Sequence, residues 1–449
     1  MVHKLNDRDT IVNLISKEVK SVEKFDVIIV GAGLAGLAAA YTLAQEGLEV
    51  LALEKGDYPG AKNVTGGRLY VNPVRDLFPD LWAKAPLERP IVHEEVAVFA
   101  KERSLTISYT GDELRQEPCQ SYSILRAKFD RWLAGQAEKK GAMLITKSRV
   151  DELIMENGRV IGVRTGGDEL GADVIIAADG VLSLTAEQAG LRQPGDPHHY
   201  AVGFKEVIEL ERGVLEDRFN LSGDEGAARL FMGEVTRGKF GGGFLYTNKE
   251  SLSLGIVVGI KDLYETEPAV AAPQLLDDFK QRPEIARLIQ GGQTVEYSAH
   301  VIPEGGLKSF ARLYGDGILV AGDAAGFSMN IGVSVRGMEY ALASGYYAAQ
   351  AVLKARESGD FSASGLKVYQ DLLDASFVMK DFQSFQDAPQ ALENPRLFQY
   401  YPELAGNIMK DLYAVPAGPK EKLYPTIKKY LGFGNLWAMF GDLRKVMKI

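Results

Sequence analysis

A single cysteine, Cys119, stands in a chain of 449 residues. A disulfide framework, a redox dithiol, a structural zinc site and a cysteine-ligated iron–sulfur cluster each need at least two thiols, so none of them fits within this chain. Histidine is almost as scarce. His3, His93, His198, His199 and His300 show no metal-ligand spacing, and no Ser/His/Asp set suggests itself. His198-His199 follows Pro194-Gly195-Asp196-Pro197 and reads as a surface loop. His300 lies between two β-like segments and reads as a structural histidine, with a place near the ligand as the alternative. The apolar centre of a secretory signal is missing as well, because charges recur through the first 24 residues. One apolar stretch, residues 25–44, has the length of a bilayer span. Gly31, Gly33 and Gly36 interrupt it, so it reads as a strand, a glycine turn and a helix of a soluble protein. There is no repeat, low-complexity run or flexible linker.

What is present is ordinary globular composition, with 46% apolar and 25% charged residues, which excludes a disordered or fibrous chain. Glycine is the excess, at 48 residues without a period. Such glycines mark tight turns and close approach of backbone to a ligand. The net charge is −9, yet residues 417–449 carry seven Lys/Arg against two acids. An acidic body argues against nucleic acid as the partner, while a basic tail suits an anionic surface.

Along the chain, residues 5–22 have the apolar spacing of a short amphipathic helix. Val27-Ile28-Ile29-Val30 is a β-branched run, as in a strand buried on both faces of a parallel sheet. An Ala/Leu-rich helix over 34–46 and a strand at Val50-Leu51-Ala52-Leu53 complete a βαβ unit. Short β pieces at 96–99 and 105–109 precede a helix from Arg126 to Lys140. Strands at 142–146, 150–154 and 159–163 follow, with a hairpin turn at Asn157-Gly158. Val174-Ile175-Ile176-Ala177 and Ile318-Leu319-Val320-Ala321 again read as buried parallel strands. Between them, residues 200–312 alternate β segments with glycine clusters such as Gly241-Gly242-Gly243, and contain one helix near 272–290. A long helix spans Gly337 to Ala355, and the last ninety residues are helical and aromatic.

Gly31-Ala32-Gly33-Leu34-Ala35-Gly36 follows a strand and opens a helix. The first glycine makes the turn, the second admits a pyrophosphate, and the third lets helix pack on strand. The helix N-terminus offers its amides and dipole to the phosphates. Glu54 ends the next strand, where a carboxylate accepts hydrogen bonds from ribose hydroxyls. Far downstream, Gly322-Asp323 follows a buried strand, and Asp323 suits the ribityl hydroxyls of a flavin, with a helix cap as the bland alternative. Asp179-Gly180 is a third strand-terminal pair. No second glycine fingerprint follows a strand, which disfavours a dedicated nicotinamide domain.

This triple set resembles the glutathione-reductase-type FAD fold, in the branch shared with aromatic hydroxylases and geranylgeranyl reductases. The resemblance implies that Gly31, Gly33, Gly36 and Glu54 bind the ADP half and Asp323 the ribityl chain. It places Asp179 and Gly180 near the cofactor, Arg126 approaching from its helix, and Gly66, Gly67 and Arg68 along the flavin side. Residues around Gly332 begin the helix whose dipole faces the flavin pyrimidine. Ala32, Leu34, Ala35, Lys55, Val150, Gly322 and Val333 complete the expected cofactor-binding set.

Residues 61–68 (AKNVTGGR), 240–246 (FGGGFLY), 301–307 (VIPEGGL), and Val335-Arg336-Gly337-Met338 with Ala343-Ser344-Gly345 are more specific. Together they resemble the electron-transfer-flavoprotein:quinone oxidoreductase family, FixC-type branch. The resemblance covers residues 24 to 360 and implies an α/β, Rossmann-like FAD domain from 24–75, 122–185 and 313–360. A β-rich quinone or substrate domain comprises 76–121 and 186–312, and 361–449 form a helical C-terminal region. It implies an FAD that takes electrons from an electron-transfer flavoprotein and reduces a membrane quinone, menaquinone or ubiquinone. Long members of the family end in a 4Fe–4S segment, whose cysteines this chain does not have. FixC-type proteins instead work beside electron-transfer-flavoprotein alpha and beta subunits and a small ferredoxin-like 4Fe–4S subunit, in some cases bifurcating electrons. Such chemistry is flavin-centred and needs no protein nucleophile.

Leu423, Ile427, Tyr430 and Leu431, then Leu436, Phe440, Leu443 and Met447, recur at helical spacing among Lys428, Lys429, Arg444, Lys445 and Lys448. This is the pattern of a helix lying on the inner face of the cell membrane, or docked on the body or a partner subunit. The alternatives of another class are a substrate-specific flavoenzyme of the same fold, an aromatic hydroxylase or a prenyl reductase, and a scaffold that keeps FAD without turning over.

Overall fold

The structure, a computed structural model, describes residues 23–62, 67–265, 271–430 and 433–448. The helix expected at 5–22, Leu431 and Gly66 lie outside the described residues.

Two sheets organise the chain. The first has eight strands, in spatial order Tyr314–Gly315, Ile318–Val320, Asp168–Ala177, Glu23–Val30, Val50–Leu53 and Met143–Ile145. The hairpin Val150–Glu156/Arg159–Thr165 joins through Asp168–Ala177. The four inner pairings from Ile318–Val320 to Met143–Ile145 run parallel, with Ile28 opposite Ile175 and Leu51. Val27, Ile28 and Ile29 are completely buried, as their continuous β-branched run requires.

After Val30 the chain turns through Gly31 into the helix Leu34–Gln45. Gly31 sits at φ +101°, and its amide donates to the Leu53 carbonyl at 2.8 Å. A Cβ there would lie 2.4 Å from the Ala178 carbonyl oxygen, so a side chain is excluded by space as well as by φ. The long helix Met338–Ser358 crosses Leu34–Gln45 so closely that a Cβ on Gly345 would lie 2.0 Å from the Ala35 carbonyl oxygen.

The second sheet has seven strands, in order Gln293–Pro303, Tyr200–Glu209, Ser251–Gly259, Gly241–Thr247, Gly226–Gly233, Ile91–Phe99 and Ser104–Thr110. Only the contact between Gly226–Gly233 and Ile91–Phe99 is parallel. Strand alternation divides its faces. Phe204, Leu254, Ile256 and Leu245 pack under Leu275, Leu276 and Phe279 of the helix Ala272–Gln281. Gly203, Lys205, His300 and Ile302 point the other way, toward the first sheet.

The structure revises several local expectations. The single helix near 272–290 is two, Ala272–Gln281 and Pro283–Ile289, because Pro283 cannot continue the first helix and fixes Arg282 in an extended conformation. Gly241-Gly242-Gly243 is not a loop but the start of a central strand, where Gly241 (φ +133°) leaves room for the Val257 carbonyl oxygen. A helix at Arg212–Phe219 was not legible in the strand-rich pattern around it. Gly332 does not begin a helix. It occupies the turn of a two-residue hairpin, Met329–Asn330 with Val335–Arg336, and the long helix starts at Met338, after Gly337.

Gly345→Ala is expected to force the two helices apart, costing about 1–3 kcal/mol as overpacking does. The measurement is the thermal unfolding midpoint, compared with Gly213→Ala, whose added Cβ meets nothing and which should equal or exceed the parent.

Candidate functional site

A cavity of about 660 Å³ lies between the parallel sheet and the inward face of the second sheet. That volume is within the range of about 300–1,000 Å³ usual for ligand sites. Its first wall comes from strand ends, where parallel strands deliver their C-terminal residues to one edge. Gly31, Gly33, Leu34, Ala35, Glu54, Lys55, Arg126, Val150, Asp179, Gly180, Gly322 and Asp323 line it together. Gly67, Arg68, Gly332 and Val333 line the opposite end. Two members of the expected set do not face the cavity. Ala32 is buried but contributes its amide, which donates to Glu54 Oε2 at 2.9 Å. Gly36 packs helix on turn, since a Cβ there would sit 2.0 Å from the Gly31 carbonyl oxygen.

Each carboxylate has its own setting. Glu54 Oε1 accepts from the Gly56 amide at 2.6 Å, so both oxygens are anchored on backbone while the group still borders the cavity. Asp179 braces the start of a short helix whose N-cap is Ser183, a role close to the alternative reading for Asp323. Asp179 Oδ1 accepts from Ser183 Oγ at 2.7 Å and its Oδ2 from the Thr185 amide at 3.1 Å, at the start of Leu184–Gln188. Asp323 instead faces His300 and Arg126. Arg126 grips Asp130 with two 2.8 Å hydrogen bonds, which aims its guanidinium along the cavity wall.

Burial pushes the Asp323 carboxyl above its ordinary value, and His300 and Arg126 pull it back only in part. Burial likewise holds His300 below its ordinary value, opposed by Asp323 and reinforced by Arg126, Lys55 and Lys205. Lys205, on the adjacent strand, is pushed well down by the same desolvation. The cluster therefore carries less charge than its composition suggests, as expected where ionisable groups share a low-dielectric site.

Arg68 does more than line the cavity. Its guanidinium binds Glu94 through both amino groups and Ser121 Oγ at 3.0 Å, and it stacks 4.4 Å from the Tyr70 ring. These contacts tie the short ribbon Gly67–Tyr70 to the strand Ile91–Phe99 of the second sheet. Beyond them, Arg336 pairs with Glu339 at 2.6 Å and Asp381 at 2.7 Å, fixing the hairpin that carries Gly332 to the first turn of the long helix. Cys119 lies outside the cavity. Burial, then Glu117 beside it, pushes its thiol up to about 11, so it stays protonated at neutral pH.

Lys205 and Glu304 are cavity residues that the sequence did not single out, and His300, read first as structural, takes its alternative place in the cavity wall. The available signal was period-two alternation, which puts His300 and Ile302 on one face of their strand and Gly203 and Lys205 on the matching face of its neighbour. Leu392, Phe398 and Val446, from the C-terminal region, also reach the cavity, and nothing local in the sequence could announce that. The C-terminal helix Phe433–Val446 is pinned by Asp442, which accepts from Asn394, Arg396 and Tyr401. Trp437, Phe440 and Met447 are left 68%, 65% and 77% exposed. Among the described residues, no helix is long and apolar enough to cross a membrane, and no cluster of three or more His, Cys, Asp or Glu could hold a metal.

Comparison with known proteins now adds to this geometry. Residues 24–217 match the family described as FAD binding domain, residues 200–302 the ETF-QO ubiquinone-binding family, and residues 388–449 the ETF-QO/FixC family C-terminal domain. The Protein FixC of Salmonella typhimurium (strain LT2) is 49% identical over 420 residues, 93% of this chain and 97% of the relative. A protein of Escherichia coli (strain K12) named as a probable electron transfer flavoprotein-quinone oxidoreductase is 46% identical over 419 residues, again 93% and 97%. The chain belongs to the FixC/ETF-QO family. Among solved structures, a geranylgeranyl bacteriochlorophyll reductase-like protein of Thermoplasma acidophilum superposes with a TM-score of 0.70 at 21% identity, covering 94% of this chain and 100% of the other. At that identity the match speaks for the fold alone.

This FixC-family chain is an FAD flavoprotein, and its site fits the cofactor. Gly180 (φ +85°) borders the cavity with nothing within 4 Å of a Cβ built on it, so a side chain there would fill the space a ligand needs. Asp323→Ala should yield folded protein that retains FAD poorly, with Kd raised about tenfold or more, since hydrogen bonds to charged groups contribute about 1.5–3 kcal/mol. Flavin content after gel filtration and titration of the apoprotein with FAD measure this.

Proposed function

We propose that this chain is the FAD-containing subunit that accepts electrons from an electron-transfer flavoprotein and passes them to a membrane quinone. A single observation carries the reading. The cavity that gathers the strand-terminal glycines and acids is also lined by Gly203, Lys205, His300 and Ile302, which belong to the segment matched to quinone binding, residues 200–302. One space thus adjoins both the cofactor motifs and a quinone-type lobe, as transfer over short range demands. FAD supplies the two-electron chemistry when bound.

The protein's part is to hold, orient and exclude. In this reading Gly31, Gly33 and Leu34 present backbone to the pyrophosphate, Glu54 meets the adenosine ribose, and Asp323 meets the ribityl hydroxyls. Arg126 and Lys55 add positive charge beside the phosphates. Gly180, Val150 and Gly322 leave room, and the hairpin around Gly332 and Val333 closes the flavin end. The FAD unit draws on 24–75, 122–185 and 313–360, and the quinone lobe on 76–121 and 186–312.

The partners are the electron-transfer-flavoprotein alpha and beta subunits and a small ferredoxin-like subunit. One cysteine cannot ligate a 4Fe–4S cluster. Any such centre therefore sits on another chain. The membrane is met by the C-terminal helix, whose exposed Leu436, Trp437, Phe440, Leu443 and Met447 are accompanied by Arg444, Lys445 and Lys448. Val446 of the same helix borders the cavity, so in this reading the membrane-facing helix adjoins the quinone site.

Anaerobic mixing tests the assignment. Reduced electron-transfer flavoprotein should bleach the bound flavin within the mixing experiment, and a quinone should restore its colour. Bleaching by NADPH that depends on an added phenol would instead establish a hydroxylase. For the membrane contact, deletion of residues 420–449, or Trp437→Glu with Phe440→Glu, should release the protein from anionic liposomes while FAD stays bound. Co-sedimentation with vesicles reads this, and undiminished binding by both variants would refute it.

A further inference from the structure

The strand Gln293–Pro303 ends at the cavity, and Glu304 follows it. The Glu304 amide donates to the His199 carbonyl at 2.8 Å, which fixes its backbone against the neighbouring strand. Its carboxyl meets the side chain of Asn330 on the Gly332 hairpin. Asn330 Oδ1 already accepts from the Gly332 amide at 2.9 Å, leaving its NH2 to face Glu304. The same cavity is lined by apolar Ile302, Ile331, Leu392 and Phe398. A carboxyl in such surroundings, with an amide rather than a cation for a partner, favours its neutral form. Desolvation pushes it up to about 7, and only Asn330 pulls the other way.

The other charged groups around the cavity are committed elsewhere or lie toward the cofactor wall. Arg336, on the second arm of the hairpin, is held by Glu339 and Asp381. His300, on the strand that precedes Glu304, faces Asp323 and Arg126, and Lys205 on the adjacent strand faces Glu296 and Arg126. His199 approaches Glu304 through its main chain.

We infer that Glu304 donates a proton to the quinone in this cavity, an assignment that rests on the quinone-reducing reading above. Reducing a quinone to a quinol takes two electrons and two protons. Both electrons and one proton arrive with the reduced, anionic cofactor, so one proton must come from elsewhere. The Glu304 O–H bond breaks as one quinol O–H bond forms, leaving a carboxylate that regains its proton from water at the cavity. An acid that titrates near neutral pH is matched to this task. The sign follows: transfer is fast while Glu304 is protonated and declines as the pH rises through about 7.

The experiment uses the FAD-loaded protein, reduced chemically and re-oxidised in a stopped-flow instrument by a short-chain ubiquinone or by ferricenium, which takes electrons without protons. Glu304→Gln should slow re-oxidation by the quinone about 10²-fold, the lower end of general-acid effects. It should abolish the decline above pH 7 and leave FAD content and the ferricenium rate unchanged, while Glu304→Asp keeps an intermediate quinone rate. Infrared titration of the oxidised parent should show a carboxylic C=O band that disappears near pH 7 and is missing from Glu304→Gln. An unchanged quinone rate and pH profile in Glu304→Gln, or a parent without that band, overturns the assignment. Should Glu304→Gln fail to fold, Glu304→Asp and the infrared titration of the parent decide it. If ferricenium re-oxidises the parent and the quinone does not, the quinone-reducing reading itself fails, and the proton assignment with it.

Discussion

At the crossing of the fingerprint helix and the long helix, the Ala35 carbonyl oxygen occupies the place a Cβ on Gly345 would need, 2.0 Å away. The cofactor side of the molecule depends on that contact. It sets the distance between Leu34–Gln45 and Met338–Ser358, and thereby where Gly322, whose amide donates to Ser344 Oγ at 2.9 Å, stands opposite the Gly31 turn. The same economy of volume recurs at Gly31 against Ala178 and at Gly36 against Gly31. Packed interiors deform little, so segments some 290 residues apart in the chain are brought together by carbonyl oxygens fitting where side chains are missing.

Charge is the second organising constraint. Burying an ion costs several kcal/mol, and the structure answers with pairing at Arg126 and with shifts toward the uncharged form among its neighbours. Arg126 is satisfied by Asp130, while Asp323, His300 and Lys205 are each shifted toward their uncharged forms by desolvation. Glu304 belongs to the second kind, with an amide where a cation would have ionised it. A cavity wall that sets Arg126 and its charged neighbours on one side and Glu304 among apolar side chains on another suits a ligand with an anionic part and an apolar part.

The C-terminal helix reconciles two readings that its pattern left open. Asp442 docks it on the body through Asn394, Arg396 and Tyr401, and its large apolar residues still face outward. Docking and surface exposure use different sides of one helix. An amphipathic stripe alone cannot distinguish them, since it records which residues are apolar and not what covers them.

Much of the cofactor side was legible because backbone chemistry there restricts residue choice. A φ of +101° at Gly31 admits glycine, a strand buried on both faces admits β-branched runs, and an acid after a strand stands out. Roles that depend on partners far along the chain were not. Gly332 reads like a helix start but turns a hairpin, Asp179 braces the start of a helix, and Arg68 clamps a short ribbon to the second sheet through Glu94. His300, Lys205 and Glu304 are ordinary strand and loop residues until two sheets face each other across the cavity. The sequence by itself determined a one-cysteine flavoprotein and the strand-end glycines and acids that line its cavity, because turns and buried strands constrain residues locally. Only the tertiary structure decided which side chains share the cavity and which of them are shifted toward their uncharged forms, because burial and pairing are properties of neighbours that the chain order does not record.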